Sequence, residues 1–182
     1  MNNPTQLYTQ RLTMIAATLE HVRIELEAPE HLSTMLDAQV SSEWPTDQYD
    51  RDAMEFFRGR MEEGGEEVEG WYGWYAIREV DMQCPRSLVG AGGYFGPPDS
   101  EGVAEIGYSV LPEWRRMGYA SEIVQALLER AFCHEQVTKV IAHTTESNPA
   151  SIGVLLRCGF QLAGAGPEGG ALRFERRRTI GV

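Results

Sequence analysis

Between residues 112 and 120 the sequence reads PEWRRMGYA, and these residue types point to anion chemistry. Arg115 and Arg116 supply two positive charges. Gly118 supplies backbone with no side chain, just ahead of the helical periodicity of SEIVQALLERAF. A helix start presents N–H groups with no intrahelical acceptor, and the aligned peptide dipoles add partial positive charge there. An anion fits such a place. Gly118 lets the main chain come close to a bulky phosphate, and Ala120 is small enough for a ligand to crowd the first turn. The stretch reads as a pyrophosphate cradle. Two solvated arginines at an ordinary helix start are the alternative that the turn alone leaves open.

Other phosphate and metal signatures exclude themselves. There is no GxxxxGK[ST], so the nucleoside-triphosphate loop is absent. A GxGxxG does occur at 164–169, but it contains Pro167, precedes a strand-like segment and opens no helix. The dinucleotide turn must follow a strand and start a helix, so this one reads as a hairpin turn. Cys84, Cys133 and Cys158 form no CxxC pair, and His21, His31, His134 and His143 show no HExxH spacing. Reduced thiols and no metal are expected.

The cradle needs a strand before it and a helix after it, and both are legible. VAEIGYSVL (103–111) alternates and reads as a strand; the helix after the turn runs to about His134 with a broad apolar face. Upstream, RLTMIAAT (11–18) reads as a strand. Thr18 caps a helix over LEHVRIELEA, and Pro29 suits the first turn of a short helix in PEHLSTMLDA. SSEWPTDQ is a loop, and Asp50 caps a helix bearing Met54, Phe57 and Met61 on one face. WYGWYAIREV (71–80), SLVGAGGYF (87–95) and the 103–111 strand follow with short turns between them, which favours an antiparallel meander. KVIAHTT (139–145) reads as a buried strand, NPASIGVLLRC as a helix stopped at Gly159, and FQLAGAG and ALRFERRR as two closing strands. The strand–helix–strand piece from Ala104 to Thr145 requires a right-handed parallel crossover.

The chain has 182 residues and a net charge of −11, which suits one domain with its own core and argues against a nucleic-acid partner. No apolar run is long enough to span a bilayer, and MNNPTQLYTQ lacks a signal pattern, so a cytoplasmic protein without membrane attachment is expected. MEEGGEEVEG (61–70) carries five glutamates. It reads as a solvated loop, with a lip attracting a cationic substrate as the alternative.

Arg115-Arg-Met-Gly-Tyr-Ala120 resembles the Arg/Gln-x-x-Gly-x-Gly/Ala signature of the GNAT acetyltransferase superfamily. AsnProAlaSer…GlyPhe, from Asn148 to Phe160, is similar to the second motif of that family. TQRLTM and the closing strand resemble its ribosomal-protein-type N-acetyltransferase subgroup. The resemblance implies a single α/β (α+β) domain over 1–182. Its sheet is mixed and mostly antiparallel, six- to seven-stranded, with helices on both faces. The element order is β-α-α-(α)-β-β-β-α-β-α-β-β. It implies acetyl-CoA as cosubstrate, with Arg115, Arg116, Met117, Gly118, Tyr119 and Ala120 around the pyrophosphate. It further implies Ser109, Val110 and Leu111 along the pantetheine arm, and Asn148 at the inner end. The sheet is expected to splay between this strand and KVIAHTT. The partner is an amine acceptor, either a protein N-terminus or a small amine, and a homodimer stays open.

Acetyl transfer to an amine needs a proton acceptor, since most amines are protonated at neutral pH. It also needs N–H donors near the developing oxyanion. Glu105, on the strand that leads to the cradle, is the base candidate; an outward-facing glutamate on a wet sheet face is the alternative. Many family members carry a tyrosine seven residues after the Asn of the second motif, but here that place is Leu155. Ser151 is the substitute acid implied by the subgroup, with Tyr108 and Tyr119 behind it. Trp44, Trp71, Trp74 and Tyr75 are candidates for the acceptor pocket or for the core. A noncatalytic acyl-CoA sensor and a domain binding another anion are the competing readings.

Overall fold

A computed structural model describes residues 5–46, 49–82 and 84–179. Eight strands form one sheet in the order β1-β2-β3-β4-β5-β6-β8-β7. They are β1 Gln6–Tyr8, β2 Leu12–Ala16, β3 Gly73–Arg78, β4 Ser87–Tyr94, β5 Val103–Val110, β6 Lys139–Thr145, β7 Gln161–Ala165 and β8 Ala171–Arg177. Every pairing is antiparallel except β5 with β6. The meander and the parallel crossover are therefore as expected, and the sheet has one strand more than its upper count. The extra strand, β1, is three residues long with a mostly exposed pattern. Pairing with β2 creates it, not a buried face, so it leaves no hydrophobic signature.

The helices are α1 Leu19–Glu27, α2 Leu32–Leu36, α3 Arg51–Gly64, α4 Tyr119–Cys133 and α5 Pro149–Arg157. Thr18 accepts the His21 N–H at the start of α1, and Asp50 accepts the Ala53 N–H at the start of α3. Both caps satisfy donors that the helix itself cannot. The glutamate run is not a loop. Met61 to Gly64 complete α3 and a 3₁₀ turn covers Gly65–Val68. Glu62 and Glu63 lie on the wet side of α3, against Arg23 and Arg60 at 3.1 Å each.

Two cores hold the layers. On one face of the sheet, Ile123, Val124, Leu127 and Ala131 of α4 are fully buried against β2 to β6, with Val154 and Leu155 of α5 beside them. On the other face, Val22, Leu32, Leu36, Phe57 and Met61 cover Tyr75, Ile77 and Leu88. Each such apolar side chain contributes about 1.5–3 kcal/mol when fully buried. The ladder between β5 and β6 runs only from Val103–Lys139 to Ile106–Ala142. Beyond it β5 continues to Val110, held by β4, and β6 continues to Thr145, held by β8. The sheet therefore opens into a gap between the two strands, and the start of α4 stands at its end.

Candidate active site

A cavity of about 1190 Å³ follows this gap through the sheet. On the α4/α5 side it is lined by Arg115, Gly118, Ala120, Asn148 and Ser151; on the other side by Thr46, Tyr49, Phe56, Phe57 and Phe95. Glu105 and His143 lie on its wall between them.

At the turn, Gly118 is the N-cap of α4 with φ 86°, and no side chain caps the helix. The left-handed backbone explains why a glycine stands there. Arg116 shares that region at φ 63°. Arg115 turns back, and its Nε donates to the Val110 carbonyl at 3.0 Å. The turn is braced by a residue whose role the sequence left unread. Arg11 bonds Glu122 of α4 through Nε at 2.8 Å and Nη2 at 2.7 Å, and donates from Nη1 to the Met117 carbonyl at 2.8 Å. Its guanidinium lies 4.5 Å from the centre of the Tyr119 ring. The Thr9 hydroxyl and the Arg11 N–H and guanidinium hold the Glu122 carboxyl below its usual range, against the opposing and larger single effect of burial. Tyr119 itself is buried under this brace. Only its main chain belongs to the turn.

The strand backbone sorts itself by alternation. Phe95 N–H bonds the Glu105 carbonyl, and Leu111 N–H bonds the Val89 carbonyl, both on the β4 side. Peptide groups of a strand alternate in direction, so Tyr108 and Val110 turn theirs into the gap. Of Ser109, Val110 and Leu111, Val110 alone is placed to pair with an extended arm. The Ser109 side chain instead bonds Thr46 across the far face at 2.5 Å, and Leu111 is buried.

Two polar pairs line the gap, one on each face of β5. Glu105 Oε1 lies 2.8 Å from His143 Nδ1. His143 Nε2 is buried without a hydrogen-bond partner among the described residues. A carboxylate at this distance fixes the orientation of the imidazole ring. On the other side of β5, the Tyr108 hydroxyl lies 2.9 Å from Ser151 Oγ and 3.2 Å from the Ser151 carbonyl. Burial pushes the Tyr108 phenol up to about 12, so it carries its proton at neutral pH. Asn148 Oδ1 accepts the Ser151 N–H at 3.1 Å, which makes Asn148 the cap of α5 as well as part of the cavity wall. Leu155, at the place where a tyrosine would stand, is fully buried in the core.

The acetyltransferase (GNAT) domain family matches residues 12–161, most of the chain. The protein belongs to the GNAT acetyltransferase family. A curated relative from Bacillus subtilis, the uncharacterized N-acetyltransferase YjdG, is 28% identical over 127 residues, covering 70% of this chain and 72% of that protein. Ribosomal-protein-S5-alanine acetyltransferase from Vibrio fischeri shares the fold at a TM-score of 0.65 and 12% identity, over 96% of this chain and 97% of that one. RimL, a ribosomal L7/L12 α-N-protein acetyltransferase solved with coenzyme A, does so at a TM-score of 0.63 and 18% identity, over 96% and 97%.

In this GNAT acetyltransferase the four aromatics that were candidates for the acceptor pocket or for the core do not line the cavity. Trp71 and Trp74 join Tyr94 around the buried Arg130 guanidinium, at 4.6, 5.3 and 5.2 Å. Trp44 and Tyr75 donate to the buried Glu25 carboxyl at 2.8 and 2.6 Å, and Tyr49 does so at 2.7 Å. Tyr49 thus links this cluster to the cavity. Burial raises Glu25 above the usual glutamate value of 4.5, partly offset by the Tyr75, Tyr49 and Trp44 bonds. Its contribution to stability is therefore full below the unfolded value and is lost as pH rises through the folded one. Glu25→Gln is expected to flatten the fall in melting temperature above about pH 4.5. Thermal melts from about pH 4 to 8 check this; a variant profile parallel to the wild type would overturn it.

Proposed function

We propose that the gap between β5 and β6 seats acetyl-CoA with its pyrophosphate at the start of α4, and that the amine acceptor enters from the α3 side. The carrying observation is a ladder that stops at Ile106–Ala142 and opens onto the uncapped start of α4. The residues fit the group. Gly118 keeps the turn free of a side chain, and the first amides of α4 have no intrahelical acceptor. Val110 turns its N–H into the gap. Arg116, Met117 and Ala120 complete the turn. Acetyl-CoA supplies the thioester, whose carbon the amine attacks and whose sulfur leaves. The Glu105 carboxylate accepts the proton of the ammonium acceptor, with His143 Nδ1 beside it to orient it. Tyr108 holds a proton beside Ser151 and can deliver it toward the departing sulfur. Attack is direct, with donor and acceptor in one cavity. Three free cysteines suit a reducing cytoplasm, which belongs to the same proposal.

A donor that binds only the folded state raises the melting temperature. At about 100 times its Kd, acetyl-CoA is expected to add roughly 2.7 kcal/mol to stability. The same protein should release free thiol when a primary amine is added. A melting temperature unmoved by saturating acetyl-CoA would overturn the proposal.

A further inference from the structure

We infer that the acceptor is a primary amine on a short chain that ends in a flat apolar group, which lies on a floor of glycines. The inference rests on the proposed acetyl transfer and names its acceptor class. Gly73 pairs with Gly93, and Gly93 pairs with Gly107, across three adjacent strands. Cross-strand partners project to the same face, so three neighbouring strands carry no side chain at one level. That level faces α3. A Cβ at Gly73 would touch the Phe57 ring at 3.9 Å, and one at Gly107 would lie 3.2 Å from the Phe95 ring. One at Gly93 would run into the Tyr72 carbonyl at 2.1 Å, so that position tolerates no side chain at all.

Gly73 and Gly107 lie two strand spacings, roughly 10 Å, apart, with the Phe57 ring beside the first and the Phe95 ring beside the second. Phe56 and Phe95, which are 44% and 54% exposed, also line the cavity. Exposed aromatic surface inside a cavity is surface that a ligand can cover. The floor leads directly to Glu105, which is two residues from Gly107 on β5 and points to the same face. An amine held at Glu105 and His143 therefore places its body over the glycines.

Charge separates this class from a polyamine. Among the described residues Glu105 is the one acid lining the cavity, and His143 already engages it. The glutamates at 62, 63, 66, 67 and 69 lie outside the cavity wall. A second ammonium group would be desolvated against phenylalanine rings without a carboxylate partner, which is costly. A planar ring gains contact on both sides instead.

The test measures thiol release under saturating acetyl-CoA for 2-phenylethylamine, 2-aminoethanol and spermidine. Phenylethylamine is expected to show kcat/KM about 10-fold or more above the other two, from burial of its ring. Phe56→Ser, at the partly exposed margin of the cavity on α3, is expected to reduce that ratio several-fold while the melting shift with acetyl-CoA stays. A preference for spermidine or aminoethanol, an unchanged ratio in Phe56→Ser, or silence with all three amines in a protein that acetyl-CoA stabilises would each overturn the inference. A protein that acetyl-CoA does not stabilise instead overturns the acetyl-transfer proposal beneath it.

Discussion

Glu105→Gln is expected to leave acetyl-CoA binding unchanged and to slow transfer by about 10²- to 10⁴-fold, the usual range for a lost general base. The amide keeps the size of the carboxylate but cannot take a proton. It also alters the partner that orients the His143 ring through a 2.8 Å contact. The loss should be greatest at low pH, where the amine arrives protonated. It should shrink as pH rises toward the amine's own pKa, because a neutral amine needs no base before attack. His143→Gln should give a similar loss, and the double variant little more than either single one, since groups acting as a unit are not additive. The measurement is kcat from about pH 6.5 to 10 for the four proteins, with donor affinity measured alongside. A Glu105→Gln enzyme with wild-type kcat at the acid end of that range would remove this role. A double variant slowed by the product of the two single effects would separate the pair.

The sequence exposes some of this site and hides the rest, for physical reasons. Gly118, the preceding strand and the following helix are adjacent in the chain, and local chemistry writes itself into local sequence. The N-caps at Thr18 and Asp50 were legible on the same ground. His143 was not. It meets Glu105 because a parallel ladder aligns Glu105 with Ile141, and the register of two strands so far apart in the chain is set by packing alone. Arg11 was hidden likewise. Its partners, Met117 and Glu122, lie more than 100 residues away, and an arginine at the start of a strand looks like any solvated one. The glycine row needed two registers at once. Read along the chain, Gly73, Gly93 and Gly107 are loosening residues in three separate strands. Side by side they become a surface.

The aromatics divide on a related ground. Trp74 and Tyr75 sit in a strand buried on both faces, and Trp71 is buried just before it. Their rings are therefore spent on Arg130 and on the Glu25 cluster. Phe56 and Phe95 reach the cavity because one lies on an outer helix and the other just past a strand end. Exposure at an element's margin, more than aromatic density, decided which rings were available to a ligand. Tyr108 shows the same for the proposed acid. Its phenol comes from β5, not from α5, and meets Ser151 from across the gap. A tyrosine at the place of Leu155 would have to leave a fully buried position to do so.

Gly118→Val is expected to weaken acetyl-CoA binding by about 10²-fold or more, equivalent to losing two charge-assisted hydrogen bonds. Two effects act together. A β-branched residue resists the φ of 86° that the cap requires. Its Cβ would also stand 3.2 Å from Arg11 Nη2, so the brace on Met117 and Glu122 must shift as the amides of α4 are screened. Strain and steric exclusion can be told apart with Gly118→Asn, because asparagine tolerates the left-handed region better than valine. The asparagine variant should restore most of the thermal stability lost in the valine variant and recover little of the affinity, because its side chain still stands where the phosphate must come. Calorimetric titration of acetyl-CoA into the folded variants provides the comparison. A Gly118→Val protein that melts as a folded domain and binds the donor with wild-type affinity would mean that the diphosphate is held elsewhere. The opening between β5 and β6 would then have to be explained without a thioester lying in it.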